Sequence, residues 1–279
     1  MAGSSLHPVI ERELLAQGRE AEVFLQADGT VLKLLRDPAH AWRVEAEATA
    51  LRSLGADGYP VPAFVGTTTV DGRPGLVTER VDGRNMLDAL DRRPLSVFAA
   101  GRVMGDLHAA MHAHGAPTDL PALREVLAER IAAADALPDD LRSRVLSLLD
   151  DLPTGDRLCH GDMHIGNILG TVDAPAVIDW GDATRGAPTG DLARTWILVR
   201  FGTLPPGAPL VARALAPVGR RIILARYLRT YRAARPVDDA LLARWQVVCA
   251  AARLWDPVPE DHPAVLAYLR GHIDRVTAP

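Results

Sequence analysis

The segment that most constrains this chain is residues 158–182, which reads LCHGDMHIGNILGTVDAPAVIDWGD. It places Asp162 five residues before Asn167, and a short apolar run then ends on Asp179. The apolar residues between these positions predict a buried loop followed by two short paired strands, with Asp179 at the exit of the second strand. This arrangement would bring Asp162, Asn167 and Asp179 close to one point.

Two carboxylates and one amide at a common point suit phosphoryl transfer. One carboxylate can orient the attacking hydroxyl, while the other carboxylate and the amide oxygen can hold Mg²⁺, because hard cations take oxygen ligands. The spacing matches a kinase catalytic loop, with residues 160–162 reading His-Gly-Asp in place of His-Arg-Asp, and residues 178–180 reading Ile-Asp-Trp in place of Asp-Phe-Gly. The alternative is a hairpin whose Asp and Asn residues are ordinary turn formers.

These motifs also carry a resemblance to a known family. HGDMHIGNIL followed by VIDWGDATRGAPTGDLA resembles the aminoglycoside phosphotransferases and the choline-kinase-like small-molecule kinases. The resemblance extends over nearly the whole chain and implies an α+β, bilobal, protein-kinase-like fold. Residues 1–83 would form a nucleotide-binding lobe with a small antiparallel sheet and one helix. Residues 84–279 would form a larger helical lobe with the catalytic loop and the substrate pocket.

The chain has a single lysine, Lys33, among 31 basic residues. Lysine is a compact point charge and arginine a planar fork, so the one lysine indicates a position that arginine cannot serve, unless it survives by chance. The pattern over residues 12–35 predicts three short strands, and Lys33 lies in the third. A kinase-like fold would place it on the donor phosphates, paired with a glutamate of the next helix. The alternative is an edge-strand lysine that points to solvent.

The next helix is predicted over residues 40–54, and two of its acids could pair with Lys33. The resemblance favours Glu47, because the paired glutamate of the family lies seven residues before the last leucine of the helix. Glu45 is the alternative partner, and a solvated helix acid is the simpler interpretation of Glu45.

Two backbone stretches are candidates for contact with the nucleotide. The turn at Gly18 lies where kinases carry a glycine-rich phosphate loop, so the amides of residues 18–21 could approach phosphate, although an ordinary hairpin also explains one glycine. Residues 78–83 connect the two predicted lobes. The resemblance implies that they form a hinge that binds the adenine edge through the Glu79 carbonyl and the Val81 amide.

From residue 84 onward the pattern is helical. Helices are predicted over residues 85–90, 95–114, two stretches within 120–151, and roughly 208–234, 238–255 and 262–276. Three histidines, His108, His112 and His114, lie in the second of these helices. Packing and surface roles are favoured over a metal site, because neither cysteines nor paired acids accompany them.

Three polar residues have predicted supporting roles around the catalytic block. His160 is predicted to hold the loop by hydrogen bonds, and His164 either faces the transferring phosphoryl group or is structural. Asp191 is predicted as a helix N-cap, and the resemblance implies that it braces the loop backbone. Only eleven residues separate Asp179 from Asp191, too few for the activation segment of a protein kinase, which favours a small-molecule acceptor.

Four acids are candidates for a pocket that binds a cationic acceptor: Asp182, Asp256, Glu260 and Asp261. Helix caps and solvated helix ends are the alternative interpretation. The resemblance favours a hydroxylated, multiply cationic antibiotic as acceptor, either an aminoglycoside or a basic cyclic peptide of the viomycin/capreomycin kind, with ATP or GTP as donor. Two rivals stay open: a metabolite kinase for choline, a sugar or an amino alcohol, and a catalytically silent nucleotide-binding module.

Composition excludes several other classes of function. The net charge of −4, the lack of a basic stripe and an aromatic content of 5% disfavour nucleic acid as a partner. Cys159 and Cys249 do not suggest a disulfide framework and fit a reducing compartment. No signal segment is visible at the N-terminus, and no apolar run approaches membrane-spanning length. We therefore expect a cytoplasmic enzyme that binds neither nucleic acid nor membrane.

Overall fold

The computed structural model describes residues 12–202 and 210–277. Its N-terminal part is a five-stranded antiparallel sheet in the order β1-β2-β3-β5-β4. The strands are β1 (Arg12–Gln17), β2 (Ala21–Gln26), β3 (Val31–Leu35), β4 (Phe64–Val70) and β5 (Arg73–Thr78). Because β3 lies between β2 and β5, its residue Lys33 is in the centre of the sheet and not on an edge strand.

Helix α1 (Ala41–Ala56) packs against this sheet, close to the predicted bounds. Its apolar face, which includes Val44, Leu51 and Leu54, is buried, and this burial holds the helix on the sheet. Arg43 and Glu47 are four residues apart, so they lie on one side of the helix, and both are buried. Helix α1 thus brings a pair of opposite charges to the region between the sheet and the rest of the chain.

The C-terminal part consists of helices and two short hairpins. The helices are α2 (Met86–Arg92), α3 (Val97–Met111), α4 (Leu123–Ala132), α5 (Asp139–Asp150), α6 (Pro188–Phe201), α7 (Leu210–Ala234), α8 (Asp239–Arg253) and α9 (His262–Thr277). The short strands are β6 (Arg157–Cys159), β7 (Ile168–Gly170), β8 (Pro175–Val177) and β9 (Thr184–Gly186). The predicted helices are confirmed within a few residues at each end, except that a start at residue 208 lies outside the described residues.

Helices α3 and α7 approach each other closely. A β-carbon placed on Gly105 of α3 would lie 2.7 Å from the Tyr227 carbonyl oxygen of α7, so a larger residue would force the helices apart. This contact sets His108 of α3, and His112 directly after its end, against tyrosines of α7.

Residues 157–186 contain two strand pairs. Strand β7 pairs antiparallel with β8, and β6 pairs antiparallel with β9. The Ile178 amide also donates to the Asn167 carbonyl oxygen at 3.0 Å, so the hairpin sets Asn167 opposite the residue before Asp179. The predicted paired strands are confirmed, and Asp179 lies two residues after the end of the second strand.

The sheet-plus-helix N-terminal part and the helical C-terminal part confirm the predicted α+β, bilobal architecture. The boundary predicted after residue 83 falls between β5 and α2 and stays a prediction. Within residues 12–202 and 210–277, no helix combines the length and the apolar character that crossing a membrane requires.

Candidate active site

The loop of residues 160–167, the predicted catalytic loop, is fixed by a carboxylate beneath it. The amides of His160 and Gly161 donate to the two oxygens of Asp191 at 2.7 and 2.9 Å. Gly161 has a φ of 78°, and a β-carbon there would lie 2.4 Å from the Asp182 carbonyl oxygen. The position therefore requires glycine, and Asp191 makes the backbone contact that the resemblance implied.

His160 joins this loop to the β7–β8 hairpin. Its Nδ1 accepts from the Asp162 amide at 3.1 Å, and its Nε2 lies 3.1 Å from the Ile178 carbonyl oxygen, to which it can donate. Burial disfavours the charged imidazole and lowers the pKa of His160, so the ring is neutral at neutral pH. These contacts are those of a residue that holds the loop in place.

Asp162 and Asn167 meet inside the loop. Nδ2 of Asn167 donates to the carbonyl oxygen of Asp162 at 2.9 Å and to its Oδ2 at 3.1 Å. Nε2 of His164 lies 3.6 Å from the same Oδ2. Burial acts to raise the pKa of Asp162, but the neighbouring His164 outweighs it and the pKa is lowered. Asp162 is therefore ionised at neutral pH and can accept a hydrogen bond.

Asp179, at the exit of the hairpin, contacts Lys33 of the sheet. Nζ of Lys33 lies 2.6 Å from Oδ1 of Asp179 and 2.7 Å from Oε2 of Glu47. The Trp180 amide donates to the other oxygen of Glu47 at 3.2 Å. Asp179 has a φ of 67°, a conformation that is uncommon outside glycine. Of the two candidate acids, Glu47 is the one that pairs with Lys33, whereas Glu45 is exposed.

Lys33, Glu47 and Asp179 form a triad whose charges depend on one another. The charge of Lys33 lowers the pKa of Asp179 to about 2, although burial opposes this. Burial raises the pKa of Glu47, and Lys33 opposes that rise. Burial also acts to lower the pKa of Lys33, but the two acids outweigh it and the pKa is raised. Lys33 therefore carries its positive charge at neutral pH, and Asp179 its negative charge.

The triad lies in a cleft of about 480 Å³ between the sheet and the hairpin. This volume is within the usual range for a small-molecule site. Val23, Val31 and Leu76 line the cleft from the sheet, and Leu169 and Ile178 line it from the hairpin, so its walls are apolar. The predicted hinge residues Glu79 and Val81 line the same cleft.

The turn between β1 and β2 has less free backbone than predicted. The Gly18 amide donates to the Ala21 carbonyl oxygen at 2.8 Å, and the Gly18 carbonyl accepts from Nε of Arg36 at 3.1 Å. The Gly18 amide is therefore used within the turn, which contradicts the expectation that it approaches phosphate. The amides of Arg19 and Glu20 are left as the candidates for that contact.

Asp191 is also the centre of a buried side-chain cluster. Its Oδ2 lies 2.9 Å from Nε2 of His108 and 3.3 Å from Nε2 of His112. The other ring nitrogens lie 2.6 and 2.7 Å from the hydroxyls of Tyr227 and Tyr231. An acid does accompany the histidines, contrary to the sequence interpretation. Each ring nitrogen nevertheless has a hydrogen-bond partner, so the group is a packing network; we call these five residues the Asp191 cluster.

The N-cap prediction for Asp191 is wrong. Helix α6 begins at Pro188, three residues earlier, so Asp191 lies within its first turn and points to the loop and the histidines. The proline at the first helical position lacks an amide hydrogen that would need a partner there, which favours the earlier start.

The Asp191 cluster should make stability depend on pH. Burial, together with the neighbouring His108, lowers the pKa of His112 from 6.5 to about 4. Between these values the unfolded chain binds a proton that the folded chain does not, so stability falls as pH falls. We expect His112 to account for a loss of about 3 kcal/mol between pH 7 and pH 4. Denaturant unfolding at several pH values measures this. The free energy of unfolding should change less steeply with pH in His112→Gln than in the wild type, and an equal slope would contradict this expectation.

Two of the four acids predicted for a cationic pocket are neutralised by arginines. Oδ2 of Asp256 lies 3.0 Å from Arg194 and 2.7 Å from Arg253. Oδ2 of Asp261 lies 2.6 Å from Arg253. The structure contradicts the prediction for Asp256 and Asp261, because both are buried ion-pair partners and not free acids. Glu260 is exposed.

The remaining candidate, Asp182, joins the two parts of the protein. Its Oδ1 lies 2.8 Å from Nη2 of Arg43 in α1 and 2.6 Å from Nη2 of Arg130 in α4. Nη1 of Arg43 also lies 3.2 Å from Glu20 of the β1–β2 turn. Sequence reasoning missed both arginines. The one available signal was that Arg43 lies four residues before Glu47, on the same side of the helix.

Known structures share this architecture. A crystal structure of an aminoglycoside-3'-phosphotransferase of type VIII has a TM-score of 0.62 at 21% identity, covering 88% of this chain and 94% of that one. The GDP and kanamycin complex of APH(2")-IIia has a TM-score of 0.57 at 17% identity, covering 95% and 91%. The macrolide 2'-phosphotransferase MphH from Brachybacterium faecium has a TM-score of 0.53 at 18% identity, covering 97% and 92%. At these identities the likeness shows a shared fold.

Sequence comparison gives the family. No curated protein sequence matches the chain. The sequence model of the phosphotransferase enzyme family matches residues 11–236, which is most of the chain and includes the cleft, the loop and the hairpin. The chain therefore belongs to the phosphotransferase enzyme family.

Proposed function

We propose that the protein transfers the γ-phosphoryl group of ATP or GTP to a hydroxyl group of a small cationic molecule. One observation carries this proposal: the Lys33–Glu47–Asp179 triad opens into an apolar-walled cleft beside the loop that holds Asp162 and Asn167. A silent binding module would need the cleft but not all of these polar groups. Both cysteines are free and buried, which supports a reducing, cytoplasmic location.

Asp162 is the residue that we assign to the acceptor hydroxyl. Its lowered pKa keeps it ionised, so it can accept the hydrogen bond of the attacking hydroxyl and orient it toward the phosphorus. The Asn167 amide holds the carboxylate in position. The raised pKa of Lys33 keeps its ammonium group charged for contact with the donor phosphates. Glu79 and Val81 are assigned to the base of the nucleotide, through their backbone groups.

The donor set fits a magnesium ion. Asp179 offers a carboxylate whose side chain is 48% exposed, and the Asn167 amide nitrogen faces Asp162, which leaves its carbonyl oxygen for a cation. Both groups are hard oxygen ligands of the kind that Mg²⁺ prefers. A bound Mg²⁺ would neutralise charge on the donor phosphates. Asp179 and Asn167 are therefore the residues that we assign to the metal.

We expect Asp179→Asn to weaken Mg²⁺-dependent binding of ATP by at least about tenfold, because it removes the negative charge of the metal site. Titration calorimetry of ATP at several Mg²⁺ concentrations measures this. Asp173→Asn is the matched control, since Asp173 is an exposed acid at the other end of the same hairpin. An Asp179→Asn variant with the Mg²⁺ requirement of the wild type would remove Asp179 from the metal site.

For the acceptor, we propose a hydroxylated, multiply cationic antibiotic, so that the enzyme would confer resistance. The structural neighbours include enzymes whose descriptions name aminoglycosides and macrolides. Helix α6 begins at Pro188, only a few residues after Asp179, so the acceptor side of the site carries no protein-kinase activation segment.

A panel of acceptors tests this proposal. Aminoglycosides, viomycin-type peptides and a macrolide would be incubated with the protein and MgATP or MgGTP, and the products weighed by mass spectrometry. A gain of one phosphate by any of them supports the proposal and names the acceptor class. Phosphorylation of choline or a sugar alone would favour the metabolite kinase. Nucleotide binding without any product would favour the silent module.

A further inference from the structure

His164 is the second imidazole of the catalytic loop, and it lies two residues after the proposed base, Asp162. Its Nδ1 accepts a hydrogen bond from the Gly166 amide at 3.0 Å, and this bond caps the short helical turn Ile165–Asn167. Because a ring nitrogen that accepts cannot also carry a hydrogen, the hydrogen of the neutral ring is on Nε2. The cap therefore fixes the tautomer of His164 and makes its Nε2 a donor.

The position of the His164 ring is fixed as well. A β-carbon on Gly166 would lie 2.8 Å from Cε1 and 2.9 Å from Nδ1 of the ring, so the imidazole fills the space that a larger residue would need. The other ring nitrogen, Nε2, lies 3.6 Å from Oδ2 of Asp162. This distance is longer than a hydrogen bond, but such contacts in enzyme sites often shorten when the substrate binds. His164 is thus held where it can donate to the proposed base.

The two oxygens of Asp162 are not equivalent. Oδ2 faces two donors from one turn, Nε2 of His164 and Nδ2 of Asn167, the latter at 3.1 Å. No donor from the described part of the chain lies within hydrogen-bond distance of Oδ1. The side chains of Asp162 and His164 are 31% and 36% exposed, so the carboxylate is open to an incoming molecule. The protein therefore occupies Oδ2 and leaves Oδ1 for a substrate.

We propose that His164 is a positioning residue for the transfer: together with Asn167 it holds Oδ2 of Asp162, so that Oδ1 accepts the hydrogen bond of the substrate hydroxyl. The hydroxyl oxygen bonds to the γ-phosphorus, the bond from that phosphorus to the β–γ bridging oxygen breaks with its electrons on the nucleoside diphosphate, and the hydroxyl proton passes to Oδ1. His164 acts through Asp162 and does not touch the reacting atoms. This inference rests on the proposed function.

Two substitutions separate the cap from the contact with Asp162. The side-chain oxygen of an asparagine lies about where the Nδ1 of a histidine lies, so His164→Asn can keep the cap on the Gly166 amide but has no donor that reaches Asp162. A glutamine amide reaches about as far as a histidine Nε2, so His164→Gln keeps the donor and loses the cap. We expect His164→Asn to lower kcat about 10- to 100-fold with unchanged MgATP affinity, and His164→Gln to keep kcat within about threefold while losing stability.

A double-mutant cycle tests whether His164 acts through Asp162. Adding His164→Asn to Asp162→Asn should change kcat by less than about threefold, because residues that act as one unit are not additive. Equal losses of kcat in both backgrounds would overturn the inference, because a purely structural role predicts them. His40→Asn is the matched control, since His40 directly precedes α1 and its side chain makes no cap hydrogen bond.

The outcomes separate this inference from the proposed function. If the wild type phosphorylates an acceptor of the panel and the kcat of His164→Asn is within about threefold of that of His40→Asn, the inference is overturned. If the wild type phosphorylates nothing, the proposed function fails, and ¹⁵N NMR of the imidazole at mildly alkaline pH still decides the geometry. The inference requires a hydrogen on Nε2 of His164 whose resonance shifts in Asp162→Asn, and a hydrogen on Nδ1 would contradict it.

Discussion

The kcat of the Asp162→Asn variant should be about 10²–10⁴-fold lower than that of the wild type, while MgATP binds equally tightly to both. Asparagine has the shape of aspartate and can keep the contact with Asn167, so the loop should not change. It cannot accept the hydroxyl hydrogen bond as a carboxylate does. Asp162 has no hydrogen bond or ion pair with the Lys33–Glu47–Asp179 triad, so the substitution should not affect the residues proposed to bind MgATP.

Two measurements on the same sample decide this expectation. Turnover would be followed with the acceptor found in the panel, and MgATP affinity by titration calorimetry. Asp140→Asn serves as the control, since Asp140 is an exposed acid at the start of α5, remote from the loop. A kcat within about threefold of the control would remove Asp162 from the chemistry, because general acid–base groups contribute far more than this.

The sequence predicted the parts of the site that local spacing determines. Asp162, Asn167 and Asp179 are carried by one loop and one hairpin, and the hairpin pairs two short apolar strands, β7 and β8, that are close in sequence. The resemblance favours Glu47 over Glu45, because the paired glutamate of the family lies seven residues before the last leucine of the helix. In both cases the information lies within a few residues of the side chain concerned.

The sequence could not predict which acids are free. Asp256 and Asp261 both lie between two helices, and both pair with Arg253, which is three residues before Asp256 and eight before Asp261. The second partner of Asp256 is Arg194, on a different helix and 62 residues away, which local sequence does not indicate. A chain so rich in arginine has many distant cations that can neutralise a given carboxylate, and only the folded arrangement selects among them.

The same limit applies to the Gly18 turn. Whether the Gly18 amide is free depends on the register between β1 and β2, in which a shift near Leu14 changes the pairing.

Asp191→Ala should destabilise the protein by about 3–5 kcal/mol, the largest loss of stability that we expect from a single substitution. Two backbone amides and two imidazoles donate to this carboxylate or lie within hydrogen-bond distance of it, and the whole group is excluded from water. Alanine would leave buried donors without an acceptor, and each such donor costs about 1–3 kcal/mol. Because Asp191 also holds the amides of His160 and Gly161, activity should fall together with stability.

Denaturant unfolding and turnover measure these two losses on one preparation. Asp191→Asn retains one acceptor oxygen and should lie between the wild type and Asp191→Ala, so it gives a result even if the alanine variant does not fold. Asp106→Ala is the matched control, because Asp106 lies on α3 beside the clustered histidines but forms an exposed ion pair with Arg102, worth about 0.5 kcal/mol. If Asp191→Ala were no less stable than this control, the loop would have to be held from elsewhere. If stability and kcat both increase from Asp191→Ala to Asp191→Asn to the wild type, one buried carboxylate sets the position of the catalytic loop.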